Sequence, residues 1–151
     1  MEIRRAHLKD IDKILFLLNL FKDQDLLLPR NRDEMASRIR DFWVAEVDHV
    51  VAGCVALHNY TEQMGEIRSL AVSPEFQKKG IAQKLVQTCV DEGKRMNLQQ
   101  VFVLTYLEKW FQDLGFKTVP KETLPEKIWI DCQFCPKQDN CREIALTYRL
   151  I

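Results

Sequence analysis

Apolar residues recur along the chain with two different periods, and the changes of period mark the elements of the fold. Glu2–Arg5 predicts a short strand, and residues 8–21 repeat apolar side chains every three or four positions, which predicts an amphipathic helix. The predicted buried stripe of this helix is Ile11, Ile14, Leu15, Leu18 and Phe21. Asn31 stands three residues before Glu34, the spacing of a helix N-cap and its capping glutamate, so a second, short helix is predicted there.

The middle of the chain is rich in β-branched and aromatic residues and predicts an antiparallel meander. Its three strands are expected at residues 43–47, 50–60 and 65–72, with a tight turn at Asp48-His49 between the first two. Residues 82–96 then return to the helical period. The predicted buried face of this helix is Ala82, Leu85, Val86, Cys89, Val90 and Gly93.

The remaining segments complete an α/β pattern. Residues 101–105 predict a buried strand, which a strand-helix-strand connection makes parallel to the strand before the helix. Residues 108–114 predict a short helix ended by Gly115, and residues 142–150 alternate as a last strand. The order β-α-α-β-β-β-α-β-α-β predicts a mixed, mostly antiparallel central sheet with helices on both faces.

Length and composition narrow the class of protein. The 151 residues predict one domain over 1–151, with residues 131–143 as a cysteine-bearing segment within it, and 46% hydrophobic residues exclude a disordered chain. Lys plus Arg and Asp plus Glu are both 22, so no net positive field favours a nucleic-acid or membrane partner. The apolar runs are too short to span a bilayer and the N-terminus lacks the apolar run of a signal peptide, so a cytoplasmic protein is expected.

The candidate chemistry begins in the loop that joins the third meander strand to the long helix. Gly80 lets the backbone approach a ligand closely, and Ala82 keeps the first helical turn open, while Lys78 and Lys79 add positive charge. The N–H groups of this loop and of the first helical turn have no partner within the helix. The segment therefore predicts a site for a pyrophosphate.

Three motifs together resemble the GCN5-related N-acetyltransferase family, and the resemblance is closest to the acetyltransferase domain of bacterial N-acetylglutamate synthases. The motifs are Leu70-Ala71-Val72, the QxxGxA loop at 77–82 and the sequence WFQDLGF at 110–116. Further likeness lies at Ile3-Arg4-Arg5-Ala6, Arg30-Asn31-Arg32, Gly65-Glu66-Ile67, Leu104-Thr105 and Leu124-Pro125-Glu126. The resemblance implies the GNAT fold and acetyl-coenzyme A as the acetyl donor. The implied donor contacts are Leu70, Ala71, Val72, Gln77, Lys78, Lys79, Gly80, Ile81, Ala82 and Phe111.

Acetyl transfer from a thioester to an amine needs a base, a polarised carbonyl and a protonated leaving thiolate. The resemblance puts the catalytic glutamate at Glu66, which we expect to act through water, and a backbone N–H near Leu70 or Ala71 would polarise the carbonyl. Many members of the family protonate the thiolate with a tyrosine at the position of Phe111, which has no proton to give. Thr105 is the candidate by alignment, whereas Tyr106 is the candidate by acidity.

Arginines are expected where the acceptor binds, because a guanidinium can hold a carboxylate of the acceptor with two parallel hydrogen bonds. Arg30 and Arg32 match the basic pair that the resembled synthases use near the glutamate site, and Arg68 shares a strand face with Glu66. We rank Arg30 first and Arg68 second. The resemblance implies a free amino acid as the small-molecule acceptor, with glutamate first.

Several alternatives stay open at this point. The basic strand of the long synthases is replaced here by residues 131–143, so glutamine or another amino acid is the second choice of acceptor. A protein amine is a further alternative, as is a non-enzymatic acetyl-coenzyme A-binding module. A homodimer is compatible with either class.

Five cysteines, an odd number, argue against a disulfide framework. Cys132 and Cys135 have the CxxC spacing of a metal knuckle, with Cys141 as a third ligand. Because structural zinc usually takes four ligands and three are visible, we expect these thiols to pack and assign no metal. Cys54 and Cys89 lie in periodic apolar runs and are expected in the core.

Overall fold

The computed structural model describes residues 1–21, 31–124 and 143–151. The strands are β1 (Glu2–Arg5), β2 (Phe42–Val47), β3 (Val50–Asn59), β4 (Met64–Val72), β5 (Gln100–Thr105), β6 (Lys117–Val119) and β7 (Ile144–Arg149). The helices are α1 (Ile11–Leu20), α2 (Arg32–Ser37), α3 (Ile81–Arg95) and α4 (Glu108–Asp113). Among the described helices, none is both long and apolar enough to cross a bilayer.

The strands form one mixed sheet in the order β1-β2-β3-β4-β5-β7-β6. Neighbouring strands are antiparallel except β4 and β5, which are parallel as the strand-helix-strand pattern predicted. The turn between β2 and β3 has positive φ at both Asp48 (49°) and His49 (68°), the conformation of a two-residue hairpin turn. The predicted meander is therefore confirmed.

Helices cover both faces of the sheet, as predicted. The apolar face of α3 packs with α4 residues and with alternate residues of β2 to β5 and β7 in one core cluster. On the opposite face, α1 and Met35 of α2 pack against Phe42, Val44 and their neighbours. Cys54 and Cys89 are fully buried in these two clusters, which confirms their core assignment, and burial raises the pKa of the Cys89 thiol.

Sequence patterns missed three local features. Residues 8–10 form a 3-10 turn before α1, and Leu17, which lies outside the predicted stripe, is fully buried. The three-residue strand β6 pairs with β7 at the sheet edge and is too short to show a period.

Asn31 caps α2 as predicted, because its Oδ1 accepts a hydrogen bond from the Glu34 N–H at 2.9 Å.

Two arginines of β1 hold the helices on opposite faces of the sheet. The Arg4 guanidinium donates a hydrogen bond of 2.8 Å to Asp10, which directly precedes α1. The Arg5 guanidinium donates a hydrogen bond of 2.5 Å to Glu92 of α3. Successive residues of a strand point to opposite faces, so neighbouring arginines reach different layers. Burial acts to raise the pKa of Asp10, but hydrogen bonds from Arg4 and from the His7 N–H outweigh burial and leave this pKa below its ordinary value.

The pairing of β4 changes along its length, and this change positions the cavity described below. Cys54 pairs with Ala71 and Ala56 pairs with Arg68, so β4 has one extra residue there and forms a bulge. Ser69 in this bulge has a φ of 58°. On its other side, β4 pairs with β5 only at residues 64–66, whereas β5 pairs with β7 along all of residues 100–105.

We predict that Asp10→Asn lowers the free energy of unfolding at pH 7 by about 1.5–3 kcal/mol, because it weakens charge-assisted hydrogen bonds at a buried carboxylate. Urea unfolding at pH 7 measures this loss. A carboxyl whose pKa is lowered in the folded state stabilises the fold above its unfolded pKa of about 3.9 and loses that contribution as pH falls through the folded value. The difference between variant and wild type should therefore shrink below about pH 4.

Asp113→Asn is the matched control for this prediction. Its carboxylate pairs with Lys109 on the surface of α4 at 3.3 Å, and both side chains are exposed. Exposed ion pairs contribute little, so the control should change stability by about 0.5 kcal/mol or less. Equal effects of the two substitutions would contradict the importance of the Arg4–Asp10 pair.

Candidate active site

A cavity of about 860 Å³ opens where β4 and β5 separate. Its walls are residues 66–72 of β4, residues 103–107 at the end of β5, and side chains of α1, α4 and the loop before α3. Beyond Glu66, the β5-facing edge of β4 has no strand partner among the described residues. Backbone N–H and C=O groups on such an edge can bind a ligand as a further strand would.

Glu66 and Arg68 lie together in the wall of this cavity. Ile67 between them packs in the α3 cluster, so Glu66 and Arg68 point to the opposite face, the α1 face. The Glu66 side chain is 2% exposed, and its Oε1 lies 3.5 Å from Arg68 Nη1. The predicted juxtaposition of these two residues is confirmed, and Glu66 is a buried carboxylate with a cationic neighbour.

Thr105 and Tyr106 also line the cavity, at the carboxyl end of β5. Thr105 Oγ1 accepts a hydrogen bond from the Leu107 N–H at 2.9 Å, which orients the hydroxyl group, and its own proton can still be donated. Tyr106 is 43% exposed. Both candidate acids therefore reach the cavity, and the choice between them stays a prediction.

Glu143 is a cavity residue that the sequence analysis did not single out. It stands one residue before Ile144, which pairs with Thr105, and it is only 5% exposed. A lone glutamate at the start of a strand gives no periodic pattern, so the burial of Glu143 could not be predicted from the sequence. The described part of the cavity thus contains two buried carboxylates, Glu66 and Glu143.

The loop before α3 has the backbone that the pyrophosphate hypothesis needs. Gly80 has a φ of 81° at the N-cap of α3, and a Cβ placed on it meets nothing within 4 Å. Lys78 has a φ of 64° and lines the cavity, while Gln77 Nε2 donates to the Val72 carbonyl at 2.9 Å. Gln77 therefore ties the loop to the end of β4.

The other predicted donor residues lie in the cavity wall, in the core or, for Lys79, at the protein surface. Leu70, Ala71, Val72, Ala82 and Phe111 line the cavity. The Ile81 side chain is buried in the α3 cluster, so it offers the donor only its backbone, and the Lys79 ammonium lies 5.7 Å from the centre of the Phe76 ring. Neither Lys79 nor Gly80 is among the described residues of the cavity wall.

The predicted acceptor arginines are not all brought to the cavity. Arg32, at the first position of α2, forms an ion pair with Asp12, and its side chain is 62% exposed. It is absent from the described walls of the cavity. Arg30, Cys132, Cys135 and Cys141 lie outside the described residues, where their predicted roles stay predictions. Among the residues that the structure describes, no cluster of metal ligands occurs.

The geometry as a whole defines a class of enzyme. A split between parallel strands, a helix N-terminus beside it and a buried carboxylate on one wall suit acyl transfer to an amine from a donor that carries phosphates. The family model for the acetyltransferase (GNAT) family matches residues 8–116. The chain belongs to this family, and acetyl-coenzyme A is its acetyl donor.

Two relatives in sequence differ in how much of their length this chain covers. An uncharacterized N-acetyltransferase of Chlorobaculum tepidum is 38% identical over 148 residues, which cover 98% of this chain and 96% of that protein. An amino-acid acetyltransferase of Neisseria meningitidis serogroup A is 35% identical over 128 residues, or 83% of this chain. The match covers only 29% of that longer protein.

Solved structures show the same fold. The N-acetylglutamate synthase of Neisseria gonorrhoeae, complexed with coenzyme A and N-acetyl-glutamate, aligns with a TM-score of 0.89 and 30% identity over 99% of this chain and 35% of that one. A Mycobacterium tuberculosis protein, in complex with CoA and NLQ, aligns with a TM-score of 0.87 and 26% identity over 100% of both chains. The predicted GNAT fold is therefore confirmed.

We predict that Gly80→Glu weakens acetyl-coenzyme A binding by about 10-fold or more, equivalent to about 1.4 kcal/mol. The substitution strains a residue whose φ is 81° and adds a negative charge beside the proposed pyrophosphate site. Isothermal titration calorimetry measures the dissociation constant.

Gln87→Glu is the control for that measurement, because it adds the same charge to an exposed position further along α3. It should bind the donor within about 2-fold of wild type, since exposed charges are strongly screened. If Gly80→Glu bound acetyl-coenzyme A with wild-type affinity, the assignment of the pyrophosphate to this loop would be wrong.

Proposed function

We propose that the protein transfers the acetyl group of acetyl-coenzyme A to the α-amine of a free amino acid, with glutamate as the first candidate acceptor. The observation that carries the proposal is the buried Glu66 beside Arg68 in the wall of the β4–β5 cavity. The pair offers a base for the amine and a cation for a carboxylate of the same molecule. Relatives called amino-acid acetyltransferases, and a structural neighbour complexed with N-acetyl-glutamate, support the same class of acceptor.

The proposed reaction begins at Glu66. An amino acid arrives at neutral pH as an ammonium, and Glu66 accepts one proton from it through water, which leaves a lone pair on nitrogen. The amine attacks the thioester carbonyl, whose oxygen is polarised by a backbone N–H of β4 near Leu70 or Ala71. The C–S bond then breaks, and the coenzyme A thiolate takes a proton from Thr105 or Tyr106. The acceptor nitrogen gives up its second proton, which restores that hydroxyl, and the amide product keeps the third.

Arg68 is the described residue best placed to hold an acceptor carboxylate. Its guanidinium is largely buried in the cavity wall, where a charge-assisted hydrogen bond is stronger than in water. Arg30 and Arg32 are proposed as additional partners of the acceptor. For Arg32, this role requires the exposed ion pair with Asp12 to open.

Glutamine is the second candidate acceptor, and Glu143 is the observation that favours it. A carboxylate on the cavity wall can accept a hydrogen bond from the amide NH₂ of a glutamine, whereas the side-chain carboxylate of a glutamate has no proton to donate to it. The two acceptors are nearly isosteric, so one charged neighbour is enough to discriminate between them.

The proposed reaction suggests a pathway and a cellular location for the protein. Acetylation of free glutamate is a step of arginine biosynthesis, and we propose that this protein works there, in the cytoplasm, as a single domain over residues 1–151. The continuous sheet from β1 to β7 supports one folding unit. A protein amine as acceptor, a non-enzymatic acetyl-coenzyme A-binding role and a homodimer remain alternatives, and turnover with a free amino acid would exclude the first two as the main role.

We predict that Glu66→Gln lowers kcat by about 100-fold or more, because the amide cannot accept the ammonium proton. Affinity for acetyl-coenzyme A should stay within about 2-fold of wild type, since Glu66 lies on the acceptor side of the cavity. Steady-state release of free thiol measures kcat, and calorimetry measures donor affinity.

Glu62→Gln removes a carboxylate from the exposed loop before β4 and serves as the control for Glu66. It should keep wild-type kcat. If Glu66→Gln also kept wild-type kcat, the base would have to be another group, and the proposed mechanism would be wrong.

We predict that Glu143→Gln raises the ratio of kcat/KM for glutamate over that for glutamine by about 10-fold, or about 1.4 kcal/mol, because the amide of Gln can donate a hydrogen bond to the glutamate carboxylate. The same assay with the exposed Glu122→Gln should leave this ratio unchanged. A wild-type protein that uses glutamate better than glutamine, with a ratio unaffected by Glu143→Gln, would reject the second candidate.

A further inference from the structure

The proposed reaction produces one proton that must leave the site in every turnover. An ammonium acceptor has three N–H protons, and the amide product keeps one of them. One proton ends on the thiol of coenzyme A, and the other is released to solvent. Glu66, the proposed first receiver of that proton, is only 2% exposed, so a neighbouring group that reaches solvent would give the proton a route out of the site.

His58 is the cross-strand neighbour of Glu66. The two residues are directly opposite in the antiparallel pair of β3 and β4. Opposite residues in such a pair project to the same face of the sheet, with Cβ atoms about 4.5–5.5 Å apart. His58 is absent from the described walls of the cavity, and its side chain is 31% exposed. Glu66 therefore lines the cavity and has His58 as its cross-strand neighbour, and His58 reaches solvent.

The imidazole of His58 is held in place by two neighbours. Its Nδ1 lies 3.1 Å from Asp41 Oδ2. The ring of Tyr60 packs edge-on against the imidazole, with the two ring centres 5.1 Å apart. An ionised carboxylate only accepts hydrogen bonds, so Nδ1 donates to Asp41 and Nε2 is left to exchange a proton. Asp41 is itself 33% exposed, so this pair stands at the protein surface.

We propose that His58, oriented by Asp41, takes the proton from Glu66 and releases it to solvent. This inference rests on the proposed function, because it requires an acceptor that arrives as an ammonium. Glu66 gives up the proton that it received through water, Nε2 of His58 binds it directly or through one further water, and the carboxylate of Glu66 is regenerated. The charged and titratable groups around this path are Asp41, Tyr60 and Arg68.

Kinetics of position 58 provide the first test. His58→Gln keeps a hydrogen-bonding side chain of similar reach but cannot carry a proton, so kcat should fall about 10-fold or more while both KM values stay near wild type. Asp41→Asn should lower kcat less, because it disturbs only the orientation of the ring. His49→Gln, in the exposed β2–β3 turn, is the matched control and should leave kcat unchanged.

Chemical rescue separates a proton carrier from a structural residue. Adding imidazole to the His58→Ala variant should raise its kcat at least several-fold, because position 58 is open to solvent. Imidazole should not rescue Glu66→Gln. Wild-type kcat of His58→Gln, or a His58→Ala variant that folds but does not respond to imidazole, would overturn the proposal.

A measurement without any acceptor keeps this test separate from the proposed function. The chain has three histidines, so the ring resonances of His58 can be assigned by substitution. Glu66→Gln should change the chemical shifts of the His58 ring and leave those of His49 in place. Unchanged His58 shifts would show that the two side chains do not interact and would overturn the inference even if acetyl transfer is confirmed. If no amino acid is acetylated, the proposed function fails, whereas altered His58 shifts would still establish the pair.

Discussion

The parallel pairing of β4 and β5 ends after three residue pairs, and the architecture of the site depends on this separation. β5 stays paired with β7 along its length, and the bulge at Ser69 gives β4 an extra residue opposite β3. The two strands therefore follow different neighbours and leave a cavity between them. Because the β5-facing edge of β4 has no strand partner beyond Glu66 in the described structure, its backbone groups are available to the donor.

In the proposed function, the same separation assigns the two reactants to surfaces of different chemistry. The loop before α3 and the edge of β4 provide backbone N–H groups, which suit the phosphates and the thioester of the donor. The α1 face of the sheet provides Glu66 and Arg68, which suit the amine and the carboxylate of the acceptor. A buried carboxylate is costly unless it is compensated, and the guanidinium at 3.5 Å is one source of that compensation.

Most of the fold could be predicted from the sequence, because periodic burial decides it. The meander, the parallel crossover and the two helical layers follow from apolar spacing, and the Asn31 cap follows from side-chain chemistry. Among the features that were missed, the edge strand β6, the bulge at Ser69 and the buried Glu143 carry no period. Glu66 and Arg68 could be paired in advance from strand alternation, whereas the contact of His58 with Asp41 joins distant positions that no local pattern connects.

We propose that donor and acceptor meet in the split between β4 and β5, with the acceptor on the face of Glu66. A crystal structure of the protein with coenzyme A and an acceptor amino acid would show where each one binds. We expect the pantetheine chain to run along residues 70–72, the pyrophosphate to contact the loop before α3, and the amine of the amino acid to face Glu66. Coenzyme A bound outside this split, or an amino acid on the α3 face, would contradict it.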